Sequence, residues 1–130
     1  MDQITPSIQD YLKALRELSP DGTPVHSAAV AARLGVTRAS VSRTMNVLKQ
    51  DGFVLKEKYG TIQLTREGLQ AADQVAKRNR LLKTFLINIL QVSEKTALRD
   101  ACRMEHAISA ETELKLQQFL EANELKEKGR

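Results

Sequence analysis

Apolar residues recur at helical spacing along most of this chain, with one short strand-like stretch near its middle. Ile8, Leu12, Leu15 and Leu18 form the first stripe. It follows Thr5-Pro6, a pair suited to the N-cap and first helical position, and ends at the turn sequence Pro20-Asp21-Gly22. A second, short helix is expected over Ala28 to Leu34, closed by Gly35. A third runs from its cap Thr37 to about Gln50, with Val41, Met45 and Leu48 on its apolar face and Asp51-Gly52 as its stop. Phe53 to Glu57 and Thr61 to Leu64 then flank Lys58-Tyr59-Gly60, which reads as strand, turn, strand. Thr65 caps a long helix to about Leu90, whose buried stripe is Leu69, Ala72, Val75, Ala76, Leu82, Phe85, Leu86 and Ile89. Ser93 caps the next helix, and Ser109 the last, with Leu114, Leu116, Phe119 and Leu120 apolar. The charged tail from Leu125 to Arg130 is expected to fray.

This order predicts a mainly α chain: a winged helix-turn-helix over residues 1–65, then a helical domain over 66–130 whose long helix offers a dimer surface. The helix-turn-helix reading rests on three steric requirements: a small residue where the helices cross, a residue that tolerates left-handed backbone in the turn, and an aliphatic plug. Ala31, Gly35 and Val41 meet them at the right separation. The solvent face of the third helix is then Arg38, Ala39, Ser40, Ser42, Arg43 and Asn46, beginning at Thr37. These short hydrogen-bonding groups and two arginines suit phosphates and base edges. Lys56 and Lys58 on the hairpin are placed to reach the DNA backbone. An ordinary helical hairpin or a protein-interaction module is the competing reading, and the hairpin in the wing position favours DNA.

Composition narrows the picture modestly. The chain has 130 residues, 42% of them hydrophobic but only 4% aromatic and none Trp, so its core is built from Leu, Ile, Val and Ala. A net charge of +4 permits nucleic-acid binding without demanding it. A single cysteine excludes an internal disulfide and fits a reducing, cytoplasmic setting. The first residues carry neither a basic start nor an apolar run, so no signal peptide is expected, and no apolar segment approaches membrane-spanning length.

The chemistry is concentrated in Cys102-Arg103-Met104-Glu105-His106. If this stretch is helical, Cys102, Glu105 and His106 share a face at i, i+3 and i+4, and a thiol, a carboxylate and an imidazole are transition-metal ligands. Taken alone, the same three are equally readable as a small buried hydrophobe, a solvated charge and a structural imidazole. No Cys-x-x-Cys pattern supports a structural zinc site, and no His-Glu-x-x-His supports zinc hydrolysis. No separate activating constellation accompanies Cys102, so an enzyme is not expected.

These features in this order resemble the iron- and manganese-dependent repressors, the diphtheria-toxin repressor and manganese-transport regulator family. The matching stretches run from Pro6-Ser7-Ile8-Gln9-Asp10-Tyr11-Leu12, through the helix-turn-helix, to Ala101-Cys102-Arg103-Met104-Glu105-His106. The resemblance implies a metal site formed by Asp10, Cys102, Glu105 and His106, a homodimer, and a palindromic DNA operator. It implies Fe(II) or Mn(II) as corepressor, with Co, Ni or Zn able to bind in vitro. Where manganese-type members add a Glu and a His, this chain has Lys13 and Asn79. Where iron-type members hold an ancillary site, it has Asn79, Lys83 and Leu98. One metal per subunit is therefore expected, and the SH3-like third domain of longer members is not. The reading is a metal-dependent transcriptional regulator. The alternatives are a winged-helix regulator sensing redox state through Cys102, and a winged-helix interaction module.

Overall fold

The computed structural model describes residues 6–128, and of Lys58 and residues 125–128 it describes the backbone alone. The chain divides into two compact units, one ending at Gln74 and the other beginning at Val75. No described helix is long and apolar enough to cross a membrane.

The first unit begins with α1 (Ile8–Leu18). Its N-cap is Ser7, in a reciprocal capping box with Asp10: Ser7 Oγ accepts from the Asp10 amide at 3.2 Å, and Asp10 Oδ2 accepts from the Ser7 amide at 2.9 Å. The expected cap at Thr5 lies outside the described residues. Tyr11, Leu12 and Leu15 are buried, whereas Ile8, on the expected stripe, is 43% exposed in the first turn. α2 (Ser27–Leu34) ends at Gly35 in left-handed backbone, φ 67°, which glycine adopts without steric cost. α3 (Arg38–Gln50) starts from Thr37, whose Oγ1 accepts from the Ser40 amide at 3.1 Å. Ala31 and Val41 are buried at the crossing, as the helix-turn-helix pattern requires.

The hairpin is β2 (Val54–Lys56) and β3 (Thr61–Leu64), with a tight turn of helical type over Lys58–Gly60. A strand absent from the sequence reading, β1 (Val25–His26), pairs with the other edge of β3, giving an antiparallel sheet of order β1-β3-β2 with Val25 opposite Ile62. One core joins helices and sheet through Leu15, Val30, Val41, Met45, Leu48, Val54 and Ile62, all at most 1% exposed. α4 (Arg66–Thr84) begins hard against the wing. A Cβ at Gly68 would lie 2.0 Å from the Phe53 carbonyl oxygen, so only glycine fits.

The unit boundary falls within α4. The expected helix to Leu90 is instead interrupted, because Phe85–Ile89 widens to a π turn, with Leu90 N–H donating to the Phe85 carbonyl at 3.1 Å. Gln91 then takes φ 58° and ends the element, and Ile89 is left 36% exposed, outside the expected stripe. α5 (Glu94–Met104) is capped by Ser93, and α6 (Ala110–Lys128) stays helical into the tail expected to fray, whose last two residues lie outside the described range. Leu82, Leu86, Ala97 and Ala101 form the second unit's small core, with Leu116 packed against it. Leu114 and Phe119 are half-exposed, although Phe119 meets Phe85 edge to face at 6.1 Å.

Candidate metal centre and nucleic-acid interface

In the second unit, α5 stops at Met104, with Glu105 as its C-cap and residues 105–107 in a turn. The tightening bond from the Ala107 amide to the Met104 carbonyl, 2.9 Å, ends the helix before His106. Glu105 still keeps helical backbone, its amide donating to the Ala101 carbonyl at 3.0 Å, and His106 lies in the turn that follows. Glu105 is fully buried, and its Oε1 lies 3.5 Å from His106 Nε2, on a ring 23% exposed. Cys102 sits exposed on the last turn of α5, its Sγ 4.0 Å from Asn79 Nδ2. Asn79 itself is 7% exposed.

A buried carboxylate carries a desolvation cost that partner charge must offset. An immersed carboxylate with an imidazole against it is the donor chemistry of a divalent first-row cation, so the residues present fit one. Arg78, which the sequence did not single out, supports this pair from α4. Its Nη1 donates to the Glu105 main-chain carbonyl at 2.9 Å and its Nε to Glu113 Oε1, in the first turns of α6, at 3.0 Å. No sequence signal marks a partnership spanning 35 residues.

In the first unit, Asp10 is half-buried in the first turn of α1, its carboxylate oriented by the Ser7 amide. The face of α3 expected to meet DNA is open to solvent. Arg38, Ala39, Ser42, Arg43 and Asn46 are exposed along α3 and Ser40 half-exposed, with Thr37 exposed at the cap. Arg43 Nη2 donates to Ser40 Oγ at 3.3 Å, and Lys56 Nζ to Asn46 Oδ1 at 3.1 Å, so the wing strand is tied to the face of α3. Val47, which the sequence reading did not single out, is 42% exposed on α3. The Lys58 side chain lies outside the described residues.

Two family signatures match in tandem: "Iron dependent repressor, N-terminal DNA binding domain" over residues 3–62, and "Iron dependent repressor, metal binding and dimerisation domain" over 65–130. An uncharacterised HTH-type transcriptional regulator of Methanocaldococcus jannaschii is 32% identical over 88% of this chain and 93% of its own length. The transcriptional regulator MntR of Salmonella typhimurium is 33% identical over 81% of this chain and 66% of its own. Among solved structures, the manganese regulator SloR superposes with a TM-score of 0.78 at 30% identity, over 91% of this chain and 55% of its own. The chain thus spans nearly all of the first relative and about half of the SloR chain.

Proposed function

Because the chain belongs to the iron-dependent repressor family, we propose that it is a divalent-metal-dependent, DNA-binding transcriptional regulator acting as a homodimer on a palindromic operator. The observation that carries this reading is the pairing of an exposed, correctly capped helix-turn-helix in one unit with the buried Glu105–His106 pair in the other.

The proposed metal donors are Asp10, Cys102, Glu105 and His106, and the proposed cation is Fe(II) or Mn(II). When bound, the cation supplies the positive charge that neutralises the carboxylates and a thiolate. Thiolate favours Fe(II) and carboxylates suit Mn(II). Glu105 contributes a ligand already desolvated, and His106 an imidazole nitrogen beside it. Arg78 fixes the main chain at Glu105, and Asp10 is pre-oriented by its capping box. At a hundredfold excess over its dissociation constant, a ligand adds about 2.7 kcal/mol to the state that binds it. That is enough to shift a conformational population about a hundredfold, and DNA affinity rises by linkage. On the DNA side, Arg38 and Arg43 are the proposed phosphate and base-edge donors, with Thr37, Ala39, Ser40, Ser42 and Asn46 along the same face and Lys56 and Lys58 on the wing.

The test is retardation of duplexes selected by the protein from a random-sequence pool, under anaerobic reducing conditions with Fe(II), Mn(II), Zn(II) or chelator. Metal-dependent retardation is the expected result. Binding indifferent to metal would remove the corepressor role. The exposure of Cys102 favours one second reading, redox sensing, whose signature is peroxide-induced DNA release in metal-free protein.

A further inference from the structure

Asn79 is a buried polar side chain outside the proposed donor set. It stands late in α4 and is 7% exposed. Asparagine is a mediocre helix former, and a carboxamide withdrawn from water costs free energy unless it is well partnered. The partner it meets is Cys102. Asn79 Nδ2 lies 4.0 Å from the sulfur, across 23 positions of chain and from α4 to α5, within the second unit. Asn79 is buried and Cys102 exposed, so the amide meets the sulfur on its inner side and leaves the outer side open to solvent.

A neutral thiol is a poor return for that burial. Thiol sulfur is a weak acceptor, and 4.0 Å is a long contact. A thiolate differs, because an ionised acceptor shortens a hydrogen bond and roughly doubles its strength. The buried amide is therefore matched to sulfur that carries charge, and the charged state proposed above is the thiolate that holds a cation. A side chain behind a metal ligand acts in this way, fixing the direction of the ligand atom and tuning its electron density. Resting on the metal-site reading, we propose that Asn79 is the positioning residue for Cys102: it donates its Nδ2–H to the metal-holding thiolate, aims the sulfur outward and draws electron density from it. Asn79 itself touches no cation, and its effect on one passes through Cys102.

A carboxamide could instead ligate directly through Oδ1, and the experiment separates the two roles. Co(II), which shows a thiolate-to-metal charge-transfer band when sulfur binds it, is titrated anaerobically into metal-free wild type, Asn79→Asp and Asn79→Leu. Aspartate keeps the size and the oxygen donor but loses the N–H. Leucine keeps the volume and loses both. Each variant should bind Co(II) about tenfold to a hundredfold more weakly. In each the charge-transfer band should move to longer wavelength, because a thiolate without the hydrogen bond gives up its electrons more easily. Far-ultraviolet circular dichroism checks that the metal-free variants have folded. Placed in Cys102→Ala, Asn79→Leu should cost no further affinity, since it acts through the sulfur. A further loss there would overturn the positioning role, as would wild-type affinity with an unmoved band in a folded variant. Tighter binding by Asn79→Asp would overturn it in favour of direct ligation. A wild-type protein that binds no Co(II), or binds it without the band, would overturn the proposed donor set and this inference with it.

Discussion

Arg78 donates to the main-chain carbonyl of Glu105 at 2.9 Å, although the two residues lie 27 positions apart. The carbonyl it satisfies belongs to the C-cap of α5, where helix carbonyls lose their intrahelical partners. The same guanidinium holds Glu113 of α6. One side chain thus fixes the main chain bearing the buried carboxylate and the first turns of the following helix.

Arg78 and Glu113 are largely buried, with side-chain exposures of 17% and 10%. Removing one partner strands the other's charge, which typically costs about 3–5 kcal/mol, and replacing both by apolar groups costs much less. Arg78→Ala should therefore destabilise the chain by about 3 kcal/mol. The double variant Arg78→Met with Glu113→Leu should be more stable than Arg78→Ala and Glu113→Ala alike. Denaturant titration of the metal-free proteins checks both, and additive effects would show that the pair is not coupled.

Gly68 reverses the usual rule for helices. Glycine to alanine in a helix interior normally stabilises by about 1 kcal/mol. Here the added Cβ would meet the Phe53 carbonyl oxygen at 2.0 Å, and backbone cannot yield as a flexible side-chain tip can. Gly68→Ala should destabilise by about 2–3 kcal/mol, the scale of overpacking. A melting temperature above wild type would contradict the close approach of α4 to the wing.

The elements that sequence specified well are those where steric demand dictates residue type. Ala31, Gly35 and Val41 each answer one requirement of the helix-turn-helix, and the structure places all three in those roles. The Ser7–Asp10 capping box was passed over, because Thr5-Pro6 offered a competing start two residues earlier. β1 was not legible, because two residues have no periodicity and Val25–His26 becomes a strand only by pairing with β3. The π turn at Phe85–Ile89 was hidden because one extra residue barely disturbs the apolar spacing. At the candidate metal centre the sequence offered donor types, but not that Glu105 would be fully buried and Cys102 exposed. Glu105 closes α5 with His106 Nε2 3.5 Å from its carboxylate, while Cys102 is exposed on the last turn of the helix.

The turn after α1 carries a pH-dependent contribution. The Asp21 carboxyl is held below its ordinary value, chiefly by the Thr23 hydroxyl, which donates to Oδ1 at 2.9 Å, and then by the Thr23 amide at 3.3 Å. A lowered folded-state value means the unfolded chain binds the proton more readily, so the contribution is present above the unfolded value, about 3.9, and fades as pH falls through the folded one. Asp21→Asn should narrow its stability deficit as pH drops from neutral into that range. A deficit independent of pH would assign the effect to the turn's shape.

The proposed metal donors can be ranked by substitution, because Glu105 and Cys102 occupy opposite environments. Glu105 is fully buried, so Glu105→Gln keeps the shape and removes a desolvated charge. The metal-free variant should keep the wild-type far-ultraviolet circular dichroism, so that the comparison reads metal binding and not folding. If its metal affinity falls about a hundredfold, a concentration that stabilises wild type by about 2.7 kcal/mol should stabilise the variant by only about 0.4 kcal/mol. Cys102 is exposed, so Cys102→Ala should leave the metal-free melting temperature unchanged and weaken metal-dependent duplex binding about tenfold or more. Melting curves with chelator, Mn(II) and anaerobic Fe(II) separate these outcomes. Equal metal-induced shifts in wild type and Cys102→Ala would remove the thiol from the donor set and move the balance from Fe(II) toward Mn(II), since oxygen and nitrogen donors would then remain. Equal shifts in Glu105→Gln would do more: they would separate the buried carboxylate from metal binding and leave it as structure held by Arg78 and His106.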